Sequence, residues 1–411
     1  MPADIIRDRT GTPPYVTPYL DALDRLHGRS IVRPEKLTEL ARRLLDERFG
    51  SAGRSSESAF AHGAAGLLAD HTHYFDGFAI LKSLPMGTAV AIRTTSARES
   101  RIVFEGGAET WSFDASMPSV NNSPEWVRIA EGVIRRLSPD AHQVDAAIVS
   151  TVPACCVDGY QAALGISVAR AAQSLFSRAE SGEEVQQVVR EVIADIIQQP
   201  FGIAYPMASD VGRPEYLLLV DANTLERLPI AAPGREDVGW GMVDVGMGPL
   251  RDASFHVKRL EMAEEATETL RRKGFPSLHS LRELEHKDLK QALDVLPRRL
   301  RPIVRHLVTE NRRVQKLVAA VRRRDWQLLG ALLLMSHSSL QKDWEATNEL
   351  VDAVVLEAEA MSLEGIYGAC MTGRGGCVLV AGQPFSVPRC LDRAQGALRE
   401  QFEIEADVML L

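Results

Sequence analysis

Cysteine is scarce in this chain: five residues in 411, an odd number. Cys155 and Cys156 are adjacent, and none of the five stands in a CxxC or Cys/His spacing of the kind that builds a zinc site. A disulfide-stapled scaffold is excluded, no metal motif is present, and reduced thiols are expected. A net positive charge is missing too. The balance of 47 Lys+Arg against 55 Asp+Glu gives −8, so there is no global attraction to phosphate backbones or anionic membranes, and neither nucleic acid nor a membrane is an expected partner. No run of 18 or more apolar residues occurs, and no basic segment followed by an apolar stretch opens the chain. A membrane-spanning helix and a secretory leader are both unexpected, which points to the cytoplasm. There is no internal repeat, which excludes a solenoid.

What the chain does have is a large apolar fraction, 45% against 25% charged residues, the profile of a globular protein. At 411 residues it exceeds what one core usually supports, so two domains packed around a shared cleft are expected. The first 30 or so residues carry Gly11, Pro13, Pro14 and Pro18 and are expected to wrap loosely over the body. After Pro34, Leu37, Leu40, Ala41, Leu44 and Leu45 form one stripe of a helix that Gly50 stops. Short β-branched runs between Phe60 and Arg101 read as strands. A strand over 145–153 leads through a loop into a helix over 160–178. A second helix over 183–198 and a buried strand over 216–222 follow.

The polar, Pro- and Gly-bearing stretch from Pro229 to Asp237 is the best boundary. It divides the chain into 1–235, including an extension over about 1–33, and 236–411. The second half reads as helices over 256–273, 280–295, 311–321 and 326–340, with terminal strands near 377–381 and 402–410. The arginines between Arg298 and Arg324 make a basic run. Acidic neighbours such as Glu310 and Asp325 mark it as a solvated helical surface rather than a nucleic-acid patch.

The segment Gly63-Ala-Ala-Gly-Leu-Leu-Ala-Asp70-His71-Thr72-His73-Tyr74-Phe75-Asp76-Gly77-Phe78 resembles the galactokinase signature GRVNLIGEHTDYNGGF without a gap. Val152-Pro153, followed after a loop by Ala162-Ala163-Leu164, fits the frame of that family's VPxGxGLSSSAAL phosphate loop. Gly202-Ile203 stands where the family has GIMDQ, and Tyr216 to Glu226 resembles its LLIDCRSLE strand. Ser254-Phe255-His256 resembles SEYNVRRR, the stretch from Ser336 to Leu350 resembles SHxSLRDDYEVSCPELD, and Thr372 to Val378 resembles TGGGFGGCVV shortened by two residues. The order is kept over roughly residues 30–385. The chain is therefore identified as similar to galactokinases of the GHMP kinase superfamily, and the resemblance implies a two-lobed α+β fold with the site between the lobes.

Phosphoryl transfer asks for a positioned carboxylate, a cation and an anion-binding loop. In the resembling family the Asp of GIMDQ and the Arg of GRVN serve as base and charge stabiliser; here those places hold Tyr205 and Ala64. A phenol with an ordinary pKa near 10 is a poor base at neutral pH. The phosphate loop reads Cys155-Cys156-Val157-Asp158-Gly159, in which side chains replace glycines and Asp158 adds a negative charge, so an ATP triphosphate is expected to be rejected. The second glycine stretch, Gly373, Gly375 and Gly376, reads as a tight turn rather than a working phosphate cradle. The family's sugar-binding aspartate is His73 and its SEY tyrosine is Phe255, while Asp70, His71, Tyr74 and Gly202 stand at the rim.

Three functions are compatible with this pattern. The first is a repurposed homologue that binds a sugar or sugar-phosphate-like ligand, with Tyr205, His73 and Asp158 as a rebuilt acid/base set and Asp70, His71, Tyr74, Gly202 and Phe255 around the ligand. The second is a divergent kinase of an unusual sugar or cyclitol, the only one of the three that calls for ATP and Mg. The third is a non-catalytic sensor or partner protein. Asp70, His71 and His73 could also be read as a metal site, but His71 stands where the family already has a histidine and no metal is assigned. The paired cysteines read as small packed residues. The ligand, the reaction and the oligomeric state stay open.

Overall fold

The structure, a computed structural model, describes residues 33–411 apart from 52–54, 70, 108, 118–122, 139–141, 154 and 247–248. The Pro- and Gly-rich opening segment and Asp70 lie outside the described residues.

The chain begins with α1 (Pro34–Phe49), β1 (Glu57–Leu68), a 3-10 turn (Thr72–Phe75) and β2 (Phe78–Thr94). Then come β3 (Ser100–Phe104), β4 (Trp111–Phe113), α2 (Glu125–Leu137) and β5 (Val144–Ser150). They are followed by α3 (Val157–Phe176), α4 (Gly182–Ile197), α5 (Ala204–Val211), β6 (Tyr216–Asp221) and β7 (Arg227–Ala231). The second part runs β8 (Gly239–Asp244), α6 (Ala253–Arg272), α7 (Leu289–Val295), α8 (Arg301–Arg323), α9 (Trp326–Ser339) and α10 (Glu349–Ala360). It closes with β9 (Ile366–Thr372), β10 (Cys377–Gly382), α11 (Ser386–Phe402) and β11 (Asp407–Leu410).

The fold is α+β. Among the described residues, one seven-stranded sheet has the order β4-β3-β5-β2-β6-β7 with β1 along β2, and a four-stranded sheet has the order β11-β8-β10-β9. β2 is the spine of the first sheet: β5 pairs with its Thr88–Thr94 end and β6 with its Phe78–Lys82 end. The first sheet ends at Ala231 and the second begins at Gly239. The stretch from Pro229 to Asp237 thus gives its first residues to β7 and the rest to the connection.

Alternation along β2 decides which layer goes where. Ala89 and Ala91 face the α1 stripe of Leu37, Ala41 and Leu45, while Val90 and Ile92 face the main core under α2 to α5. α3 is rich in Ala and Gly, so it lies close against the strands and buries Ala162, Ala163, Leu164 and Ile166. α4 opens on a capping box, Ser181 Oγ accepting from the Glu184 N–H and the Glu184 carboxylate accepting from the Ser181 N–H. Ser181→Ala is expected to cost about 1 kcal/mol, read as a lower urea midpoint with an unchanged slope.

Three expectations for the second half change. The helix expected over 280–295 is broken into 3-10 turns at Leu281–Glu283 and His286–Asp288 before the short α7. There Ser280 donates to the Phe75 carbonyl and Arg282 bonds Asp221 and the Asp76 carbonyl, so tertiary partners override the local period. The helix expected over 311–321 starts ten residues earlier, because Pro302 is accommodated in the first turn of α8. The strand expected over 402–410 is shortened: α11 runs to Phe402, Glu403 turns through φ 58°, and β11 begins at Asp407. Four of the nine arginines in the basic run are ion-paired among the described residues: Arg299 with Glu265, Arg305 with Asp343, Arg313 with Glu310 and Arg324 with Asp237. Among the described residues no helix is long and apolar enough to cross a membrane.

Candidate functional site

The first turn of α3 sits where the two sheets meet. Gly159 lies against the backbone of Ala64 on β1, so closely that any Cβ at 159 would run into the Ala64 carbonyl. Ala64 is itself buried, and its backbone forms a packed seam with Gly159. Beside it the Asp158 carboxylate, buried, accepts from Arg374: Nε reaches Oδ1 at 2.6 Å and the backbone N–H reaches Oδ2 at 3.1 Å. Arg374 Nη2 also donates to Gln161 Oε1 at 2.9 Å, and Gln161 in turn donates to Glu125 at 2.6 Å. Arg374 is carried on the turn between β9 and β10, where Gly373 adopts φ 65° and Gly375 lies against the Cys155 carbonyl. The turn of the second sheet thus covers the start of α3. The charge that Asp158 brings to this loop is not left bare, because Arg374, which sequence reasoning missed, neutralises it.

His73 lies next to this ion pair. Its ring lies against Gly202, where a Cβ would overlap Cε1 and both ring nitrogens. The ring lies 4.5 Å from Tyr74 and 6.1 Å from Tyr205, centroid to centroid. No described residue hydrogen-bonds either of its ring nitrogens. Burial, partly offset by the Asp158 charge, pushes the His73 pKa down to about 4, so the imidazole is neutral at physiological pH, with one nitrogen to donate and one to accept. Tyr205, at the start of α5, is buried with its hydroxyl beside Gly373.

His71 adopts φ 94° and stacks on Trp344, centroids 4.3 Å apart. Its Nδ1 lies 3.4 Å from His306 Nε2, and His306 Nδ1 lies 3.0 Å from Ser339 Oγ. His256 stacks over the same ring at 6.3 Å with its Nε2 unpaired among the described residues. Burial lowers all these imidazoles. His71 falls well below its ordinary value, with His306 adding to the effect; His256 falls to about 4, helped by Arg374, and His306 to about 3, helped by Arg313.

The structure brings His71, His73, Tyr74, Gly202, Tyr205 and Asp158 together, with Gly373 and Gly375 on the facing turn. Phe255 stands at the edge, its ring 5.3 Å from His256 and 5.0 Å from the Arg259 guanidinium. Tyr74 and Phe255 are partly exposed, while His73, Tyr205 and Asp158 are 6%, 3% and 3% exposed. His256 and His306 were not singled out from sequence, since a buried partner has no local signature. His337 bonds Asp352 at 3.0 Å and accepts from the Met371 N–H, a structural role. Cys155 and Cys156 are buried and meet a third thiol, Cys377, which stands beside Gly376 at the start of β10, with the three sulfurs within 4.8 Å of one another.

No protein-family model matches the chain. Curated relatives do. A galactokinase of Thermotoga neapolitana is 27% identical over 352 residues, 84% of this chain and 95% of the relative. A galactokinase of a Roseiflexus species is 29% identical over 326 residues, 78% and 81%. The human galactokinase is 27% identical over 382 residues, 89% and 93%. Among solved structures, the Lactococcus lactis galactokinase complexed with galactose superposes with a TM-score of 0.81 at 22% identity, covering 91% of this chain and 97% of that one. A mevalonate kinase of L. major gives 0.57 at 14% identity, covering 87% and 96%. Ordered motifs along the chain, matched curated sequences and a shared fold agree: the chain is a galactokinase-like member of the GHMP kinase family.

Proposed function

We propose that this protein binds a sugar or sugar-phosphate-like ligand between two lobes that divide near residue 235, and that it does not take ATP in the manner of a family kinase. The observation that carries the reading is the place of Asp158. A phosphate bound at a helix start needs exposed N–H groups, the positive end of the helix and a balancing cation. Here Asp158 stands in the first turn of α3, takes both the guanidinium and the backbone N–H of Arg374, and lies under the turn that covers the helix start. The chain's own carboxylate occupies the anion position, so the residues do not fit a nucleoside triphosphate and leave no place for the group that phosphoryl transfer would move.

Support for a hydroxyl-rich ligand comes from His73. A buried neutral imidazole with both nitrogens unpaired among the described residues costs about 1–3 kcal/mol, which two ligand hydroxyls, one accepting and one donating, would offset. Tyr74 and Phe255 add aromatic faces for a sugar ring. The galactose in the L. lactis relative makes a hexose the first ligand to try. The burial of Tyr205 and Asp158 favours binding without turnover.

Calorimetry decides. Galactose or galactose 1-phosphate should give a saturable heat and Mg-ATP none. His73→Ala should weaken the sugar at least tenfold while leaving the thermal midpoint unchanged or raised. ADP release driven by any simple sugar would overturn the reading, and equal sugar affinity in His73→Ala would remove His73 from the site.

A further inference from the structure

We infer that Cys155, Cys156 and Cys377 form a binding site for one soft, thiophilic metal ion, with monovalent copper the best match, at the junction between the two sheets. The three sulfurs come from two distant stretches of chain, the approach to α3 and the first residue of β10, and the residues are 2%, 4% and 0% exposed. A metal–sulfur bond of about 2.3 Å in a trigonal plane places its sulfurs about 4 Å apart. The observed spacing, all pairs within 4.8 Å, therefore needs only small side-chain rotations to close on an ion.

The donor set selects the ion. Three thiols converge in one group; the Met242 thioether lies 3.3 Å from Cys156 Sγ, and the Asp244 side chain bonds Cys155 at the edge of the group. Thiolate and thioether donors favour monovalent copper, whereas zinc sites are closed by four thiolate, imidazole or carboxylate ligands. Metal ligation takes thiolates, so binding expels the thiol protons to solvent. Bound metal would tie the approach to α3 to β10, across the junction that Asp158 and Arg374 already bridge. Nothing in this site depends on a sugar being bound.

The test uses the reduced full-length protein, titrated anaerobically with cuprous ion against a chromogenic copper chelator. One equivalent should be retained, with near-ultraviolet sulfur-to-copper charge transfer, three sulfur neighbours by X-ray absorption, and a higher thermal midpoint. Cys377→Ser and Cys156→Ser should each weaken retention on the order of 100-fold or more, since losing even an outer-shell partner costs about 10–100-fold. Cys390→Ser, a buried thiol on α11 outside the cluster, should change nothing. Failure of the wild type to hold copper against the chelator overturns the inference. So does undiminished retention in Cys377→Ser, or a count of two sulfurs. The wild-type sulfur count decides the matter even if a serine variant does not fold.

Discussion

Arg374→Met should lower the stability of the folded protein by about 3–5 kcal/mol, the range for breaking a buried ion pair by removing one partner. The side chains of Arg374 and Asp158 are 5% and 3% exposed, so the carboxylate left behind has almost no access to water. It would also lose its shortest bond while the backbone N–H of residue 374 stays, and Gln161 Oε1 would lose the guanidinium donor. The pair itself is a different matter. Two charges taken out of water recover little more than their desolvation cost, so Asp158→Leu combined with Arg374→Met should regain most of the loss. The double-mutant cycle then yields a coupling energy of several kcal/mol between residues 216 positions apart. Urea midpoints read it directly. An Arg374→Met protein within about 1 kcal/mol of wild type, or a double variant no more stable than the single one, would show that Asp158 is not held as a buried carboxylate. The anion position would then be open to a ligand after all.

Much of this junction was legible in the sequence, and the part that was not has a physical reason. The strand, loop and helix around Val144 to Phe176 follow from local periods, and β5 and α3 begin and end within a few residues of the expected places. The replacements Ala64, Tyr205 and His73 are visible because an ordered set of motifs fixes their positions. Arg374 was not, since an arginine in a glycine turn gives no sign of its partner until β9 and β10 carry it over α3. Cys377 escaped for the same reason: adjacent cysteines announce themselves, while a third thiol from another sheet does not. The broken segment before α7 shows the converse, an apolar period overruled by side-chain bonds to Phe75 and Asp221. Local pattern settles elements, and long-range pairing of polar groups settles the site.

The same burial that hides the histidines makes the protein sensitive to acid well above the carboxylate range. His73, His256 and His306 have folded-state pKa values pushed down to about 4, 4 and 3 from an ordinary 6.5. Below about pH 6.5 the unfolded chain takes up protons that the folded chain refuses. Their contribution is therefore complete above that pH and is lost as the pH falls toward the folded values. Between pH 7 and pH 5 each of the three costs the fold about 2 kcal/mol, or about 6 together, a large part of a typical stability. His71 adds in the same direction, and it cannot charge together with His306, whose Nε2 is 3.4 Å from its Nδ1. Urea midpoints at pH 7, 6 and 5 should fall steadily, with uptake of about three protons on unfolding near pH 5. His306→Asn, which keeps a hydrogen-bonding group but cannot be protonated, should flatten the pH dependence by roughly one third whatever its effect at pH 7. A stability that stays level from pH 7 to pH 5 would mean that these imidazoles reach water or a counter-charge. The closed, neutral centre on which the proposed ligand chemistry of His73 depends would then have to be abandoned.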